Sequence, residues 1–150
     1  MKKLFSLASI LGISLVLTAC SATTSMAPKA ESEQAKKFSL PNKGNSGLYI
    51  YRDSFIGKAL KKKLYIDDQL IGESAPDTFF YKQVTAGSHK ISTESEFSNN
   101  DLNINTESGK NYFIRQYIKM GLMVGGADLE QVSEEKGKEA VSKLEMAVTK

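Results

Sequence analysis

Four kinds of side chain in this sequence could do chemistry: one cysteine, one histidine, a scatter of carboxylates and a run of lysines. Cys20 is the only cysteine, so the chain offers it no disulfide partner. His89 is the only histidine, and in an alternating strand it shares a face with Ile91, which suits a ring that braces a turn or the core. A hydrolytic triad needs a base beside a nucleophile, and zinc needs three or four His, Cys or carboxylate ligands. One His and one Cys meet neither demand. Asp53, Asp67, Asp68 and Glu73 are candidates for the paired carboxylates of glycoside cleavage, but Asp67 and Asp68 fall in a turn, where carboxylates bond local backbone. Gly121, Gly125 and Gly126 lack the Gly-Lys-Ser/Thr ending of a phosphate loop. The expectation is a chain with no catalytic residue, no metal site and no cofactor, with glycan hydrolysis as a remote alternative.

The chemistry of Cys20 is set by what precedes it. Lys2 and Lys3 open the chain, and an apolar run from Leu4 to Leu17 follows, broken by Ser6, Ser9, Gly12 and Ser14. That run is shorter than the roughly 20 apolar residues of a membrane-spanning helix, and a basic start with a small-residue exit fits a secretory signal. Leu17-Thr18-Ala19-Cys20 resembles the lipobox of bacterial lipoproteins, a Leu, a variable residue, an Ala or Gly and an obligatory Cys. The resemblance implies that residues 1–19 are removed and that Cys20 is lipidated and becomes the mature N-terminus. A single acyl chain binds a membrane only marginally, at about 0.8 kcal/mol per buried CH₂, so several chains on one Cys make the anchor stable. Ser21 stands where enteric-type bacteria commonly place Asp to retain a lipoprotein at the inner membrane. By that analogy the chain faces the periplasm from the outer membrane. Cleaved secretion without lipid is the alternative.

Loss of the signal changes the charge. The whole chain carries 20 Lys and Arg against 17 Asp and Glu; without Lys2 and Lys3 it is nearly neutral, which gives no support for a nucleic-acid partner. Lys58, Lys61, Lys62 and Lys63 form the one basic cluster. It reads as a solvated strand start or a guarded sheet edge, or as a contact for anionic lipid or glycan phosphate. Residues 20–46 begin at Cys20, whose lipidation the lipobox resemblance implies, and continue in a stretch rich in Ser, Ala, Thr, Lys and Glu, a composition that predicts a flexible, disordered linker. Phe38 and Leu40 are the exceptions able to pack back on the domain.

Residues 47–150 suit one compact domain. Short segments rich in Tyr, Phe, Ile and Leu predict antiparallel strands at 47–53, 59–67, 69–73, 78–84, 88–94, 102–107 and 111–120. Turn residues at 67–69, 75–77, 85–87 and 108–110 separate most of them. Leu102-Asn103-Ile104-Asn105-Thr106 alternates, so Leu102 and Ile104 point inward. Gly47-Leu48-Tyr49-Ile50-Tyr51 and Tyr112-Phe113-Ile114 are apolar on both sides, which predicts central strands covered on both faces. Residues 120–127 are apolar yet glycine-rich and read as a bent connection or bulged hairpin, with a membrane-touching loop as the functional alternative. A further strand is possible at 129–132. Ser133 then caps a short C-terminal helix, with Glu134 and Glu135 in its first turn and Gly137 weakening it by roughly 1 kcal/mol. The fold class is mainly β, a sandwich-like domain with a short C-terminal helix.

The middle of the domain resembles PEGA-type β domains: Leu64-Tyr65-Ile66-Asp67-Asp68-Gln69-Leu70-Ile71-Gly72-Glu73, then Phe79-Phe80-Tyr81 and Ala86-Gly87-Ser88-His89-Lys90-Ile91. With the flanking Gly47-Leu48-Tyr49-Ile50-Tyr51-Arg52 and Gly109-Lys110-Asn111-Tyr112-Phe113-Ile114-Arg115, the domain is similar to a family of small bacterial lipoproteins known only as a domain of unknown function. Asp68 departs from the pattern, standing where Gly is usual. The resemblance implies a compact extracytoplasmic β module and brings no catalytic residues. The function expected is a noncatalytic envelope module that is structural or binds a protein partner, anchored to the membrane through Cys20. Tyr51, Arg52, Arg115 and Tyr117 are the candidate interaction surface, because interfaces favour Tyr and Arg. Carbohydrate or peptidoglycan binding is the alternative, and needs two or more of the six tyrosines exposed together on one face.

Overall fold

The computed structural model describes residues 22–150; the signal segment and Cys20 lie outside the described residues. Two sheets make the framework. One holds β1 (Asn45–Arg52), β4 (Thr78–Thr85), β7 (Asn111–Lys119), β8 (Gly126–Val132) and the short β9 (Glu145–Met146), in the order β8-β7-β1-β4-β9. The other holds β2 (Lys62–Ile66), β3 (Gln69–Ser74), β5 (Gly87–Glu94) and β6 (Asn99–Thr106), in the order β3-β2-β5-β6. Two helices, α1 (Lys29–Ala35) and α2 (Glu134–Val141), complete the chain. This is the mainly β, two-sheet architecture expected from the sequence, with its short C-terminal helix.

Alternation along β1 sorts the core into two layers. Leu48 and Ile50 meet Leu64, Ile66, Ile71, Phe80, Ile91 and Ile114 between the sheets. Tyr49 and Tyr51 point the other way and pack with Phe79, Phe113, Val141 and Leu144 beneath the helices. A strand used on both faces has no room for polar alternation, and residues 46–52 are buried without interruption. β1 and β7 are therefore internal strands of their sheet, as their sequences require. Both are doubly covered because the molecule has three layers, sheet on sheet on helices. Two neighbour pairs run parallel, β1 with β7 (Gly47 opposite Asn111) and β4 with β9, so the larger sheet is mixed.

Local chemistry fixes the turns and ends. Asp67 and Asp68 have φ of 50° and 65°, the two positive values of the tight turn that matches strand twist between β2 and β3. Asp tolerates that conformation better than most residues, which lets Asp68 stand in for Gly. Ser133 caps α2, its Oγ accepting the Lys136 N–H at 3.4 Å. Gly137 costs α2 helix propensity but has a packing reason: a Cβ there would overlap the Phe113 ring.

The expected disordered linker is corrected by the structure. Residues 22–46 are threaded onto the domain, and α1 lies within them. The Ala22 N–H donates to the Lys58 carbonyl at 2.8 Å, the Ala27 N–H to the Met146 carbonyl at 2.9 Å, and the Val148 N–H to the Ser25 carbonyl at 2.8 Å. Ser32, buried in α1, donates to Glu145 and accepts the Met146 N–H, both at 3.1 Å. Phe38 adopts φ 52°, uncommon for a bulky residue, and in return its ring meets Tyr49 and Phe113 edge-on at 5.4 and 5.8 Å. A few well-placed side chains thus order a segment whose average composition is polar. Leu40, by contrast, is left 79% exposed.

Candidate functional site

Of the four residues expected at an interaction surface, Tyr51 and Arg52 are corrected by their burial, at 3% and 0% exposure. Tyr51 sits under α2, where burial first and then Asp53 push its hydroxyl pKa up to about 12. Arg52 points to the opposite face of β1 and clamps the loop 53–61. Its Nη1 donates to the Leu60 carbonyl and its Nη2 to the Gly57 carbonyl, both at 2.7 Å. Burial lowers its pKa and Asp77 raises it in part. Arg115 is partly exposed, but Asp53 (2.8 Å) and Glu130 (3.1 Å) both bind its guanidinium. In the depression of about 540 Å³ around Tyr51 and Arg115, the guanidinium is therefore already held by two carboxylates of the chain itself. Tyr117 is half-buried on the same strand.

His89 braces a turn. Its Nδ1 faces Asp67 Oδ2 and its Nε2 faces the Thr85 carbonyl, each at 2.7 Å. A carbonyl and a carboxylate can only accept, so both ring nitrogens donate and the imidazolium is favoured. Burial alone would lower its pKa, but the bonds to Asp67 and Thr85 outweigh that and raise it. With both nitrogens spent, the ring has no lone pair for a general base. No group of three or more His, Cys, Asp or Glu side chains among the described residues could hold a metal ion.

The arrangement that could take a ligand lies on the edge of the larger sheet. A groove of about 500 Å³ runs between α1, β4 and the segment after β9, lined by Leu40, Tyr49, Tyr81, Gln83, Met146 and Val148 among others. The Tyr49 hydroxyl donates to the Ala35 carbonyl at 2.9 Å, holding the end of α1, and its ring packs 4.6 Å from that of Tyr81. Burial first, and the neighbouring Tyr81, raise the Tyr49 pKa. On its outer side β4 pairs with β9 only at Thr78 and Phe79. Beyond these, Ala147 N–H reaches the Phe79 carbonyl and Thr149 Oγ1 the Tyr81 carbonyl. Strand alternation turns the backbone of Gln83 to the same side, where no strand covers it. Leu40 and Val148, 79% and 44% exposed, stand beside this open edge.

Sequence reasoning missed the groove because one wall is α1, read as linker. The usable signal was Phe38, which ties that segment down. Of the six tyrosines, Tyr49 and Tyr51 are buried and the others half-buried, so no open aromatic platform is formed.

A doubly layered β module with an edge groove, no assembled catalytic group among the described residues and a helix-covered larger sheet defines a class by its architecture. Residues 42–127 match the family model described as protein of unknown function DUF2846, and the chain belongs to that family. The match runs from the turn before β1 to the first residues of β8; α1, α2 and β9 fall outside it. A protein of Haemophilus influenzae, described as uncharacterized, is 73% identical over 148 residues, covering 99% of this chain and 88% of that protein. No solved structure matches the chain.

Proposed function

We propose that the chain is a noncatalytic envelope lipoprotein, lipidated on Cys20 and held at the periplasmic face of the outer membrane, whose domain binds an extended protein segment. The lipobox-like Leu17-Thr18-Ala19-Cys20 supports the anchor. The open edge of β4 beside the Leu40, Tyr81 and Val148 groove is the observation that carries the binding role. An unpaired strand edge offers backbone hydrogen bonds to an added strand, and an adjoining apolar pocket takes its alternate side chains. Kinship with PEGA-type modules belongs to this proposal, supported by the two-Asp turn and the His89 brace at the positions on which the resemblance rests.

Two experiments test it. Cys20→Ala should leave the membrane fraction of cells; a variant that still fractionates with the outer membrane removes the anchor. A photoreactive residue at Gln83 or Val148 should crosslink one discrete envelope protein in living cells, while the same residue at Ser88 should not. Crosslinking to bulk envelope components alone, at all positions, removes the partner. Capture of peptidoglycan strands instead would favour the carbohydrate reading.

A further inference from the structure

Large apolar side chains left in water are ordinary when scattered. Here most gather at one end of the sandwich. Phe55 and Ile56 (77% and 61% exposed) lie on the loop 53–61, and Phe97 (78%) on the loop 95–98. Met120, Leu122, Met123 and Val124 (91, 90, 86 and 54%) lie on the loop 120–125. The strands bring these loops together: β1 and β7 end here, β5 turns into β6, and β2 begins. A contiguous apolar surface of this kind marks a site of interaction.

The loops are held in place from beneath. Arg52 fastens 53–61 through its two carbonyl contacts. Glu96 braces the third loop, its carboxylate accepting the backbone N–H groups of Leu122 (2.8 Å), Met123 and Val124 (3.2 Å). Leu60 packs against Gly125, joining the first loop to the third. Polar groups are thus spent on bracing the loop backbone while apolar ones are held outward. That is the reverse of a loop built for water.

The rim and the chain path indicate what covers this surface. Lys58 and Lys61 border it without an ion pair among the described residues, Lys58 standing 4.8 Å over the Phe55 ring. Of the nearby acids, Glu96 is engaged as above, Asp53 by Arg115, Asp128 by Lys119 and Glu94 by the Lys63 N–H, while Glu73, opposite Lys63 on β3, shares a depression with Lys61. Asp77, exposed in the turn 75–77, is the acid whose charge acts on Arg52. Ala22 donates to the Lys58 carbonyl. The described residues therefore begin at this same end, two positions in sequence from Cys20.

We infer that this end docks into a phospholipid leaflet. Phe55, Ile56, Phe97, Leu122 and Met123 enter the boundary between headgroups and acyl chains, with Lys58 and Lys61 among the phosphates. The inference rests on the reading of Cys20 as the lipidated residue, and it deepens that reading: the lipid and three protein loops enter the same leaflet. The domain then stands with its strands pointing toward the bilayer, and the β4 groove opens sideways along the surface.

The test uses the full chain purified from membranes and reconstituted into vesicles of phosphatidylethanolamine and phosphatidylglycerol. Leu122→Cys and, separately, Ser108→Cys at the opposite end carry an environment-sensitive fluorophore, and mass spectrometry reads the modification of Cys20. An acylated chain whose Leu122→Cys label shifts to the blue and is quenched by bromolipid several-fold more than the Ser108→Cys label is the expected result. An acylated chain with equal, weak quenching at both positions overturns the docking and leaves the anchor standing. A Leu122→Cys label that is shielded from water but not quenched by lipid reports a second copy or another protein on the surface, and overturns it too. An unmodified Cys20 overturns the anchor, and this inference with it.

Discussion

The two ends of the sandwich are built from the same kind of loop but finished in opposite ways. At one end the turns 67–68, 85–87 and 107–110 display Asp, Thr, Glu, Ser and Lys, and the adjoining His89 ties β5 to Asp67 and Thr85. At the other, the loops 53–61, 95–98 and 120–125 display Phe, Ile, Leu and Met, and Arg52 and Glu96 are spent on the loop backbone. Both ends spend polar side chains on loop backbone. They differ in what stands beside those bonds, so the outward chemistry of each end is a choice independent of the fold.

The sharpest way to break this contrast is Arg52→Ala. It removes the donor that satisfies the Leu60 and Gly57 carbonyls and leaves a cavity, and should lower unfolding free energy by about 3 kcal/mol or more in urea denaturation. Arg52→Lys should recover only part of the loss, because a single ammonium cannot fork to both carbonyls.

A smaller effect is expected from His89→Gln at the polar end, about 1 kcal/mol at pH 6. Its sign with pH follows from the raised His89 pKa. The stability that this ring contributes is fully present below about 6.5, the value of a free histidine, and is lost as pH rises through the higher folded value. Asp67, whose pKa is lowered by its bonds to Lys90 and His89 against the opposing effect of burial, contributes above its ordinary range and loses that contribution in acid. Unfolding followed across pH 5–9 should therefore slope downward in the parent and flatten in the variant; parallel slopes would show that the ring carries no such linkage.

Asp68→Gly should raise stability by roughly 0.5 kcal/mol, since glycine meets φ 65° without strain while only an exposed pair with Lys90 is lost. Least of all should Leu122→Asp alter folding, within about 0.5 kcal/mol, because that side chain touches water. A large loss on Leu122→Asp would mean that the apolar end belongs to the core, and the contrast between the ends would collapse.

Much of the architecture was legible because each strand carries its own signal. β6 shows its alternation in five residues, β1 and β7 announce double burial, and Ser133 with its two glutamates marks α2. What could not be read depends on distant partners. α1 is made of Lys, Ala, Glu, Ser and Gln and earns its place through Ser32 meeting the Glu145 carboxylate and the Met146 N–H more than a hundred positions away. β9 is two residues long and exists only because β4 offers an edge. Arg52 looks like a surface residue until the loop that folds over it is seen. The apolar end was visible only in part: residues 120–127 stood out, but Phe55 and Phe97 are single aromatics in polar surroundings, and only the strand topology brings them together.

The parallel seam between β1 and β7 also sets when the molecule can form. Hairpins such as β5–β6 join neighbours in sequence and can close in microseconds. Tyr49 can stack on Phe113 only after residues 111–119 exist and a long loop has closed. A chain that emerges N-terminus first holds β1 with one flank open through most of its own synthesis. Closure of that central seam belongs to the slow, non-local class of β contacts, on the millisecond-to-second scale, and the elements β8, α2 and β9 follow it in the chain.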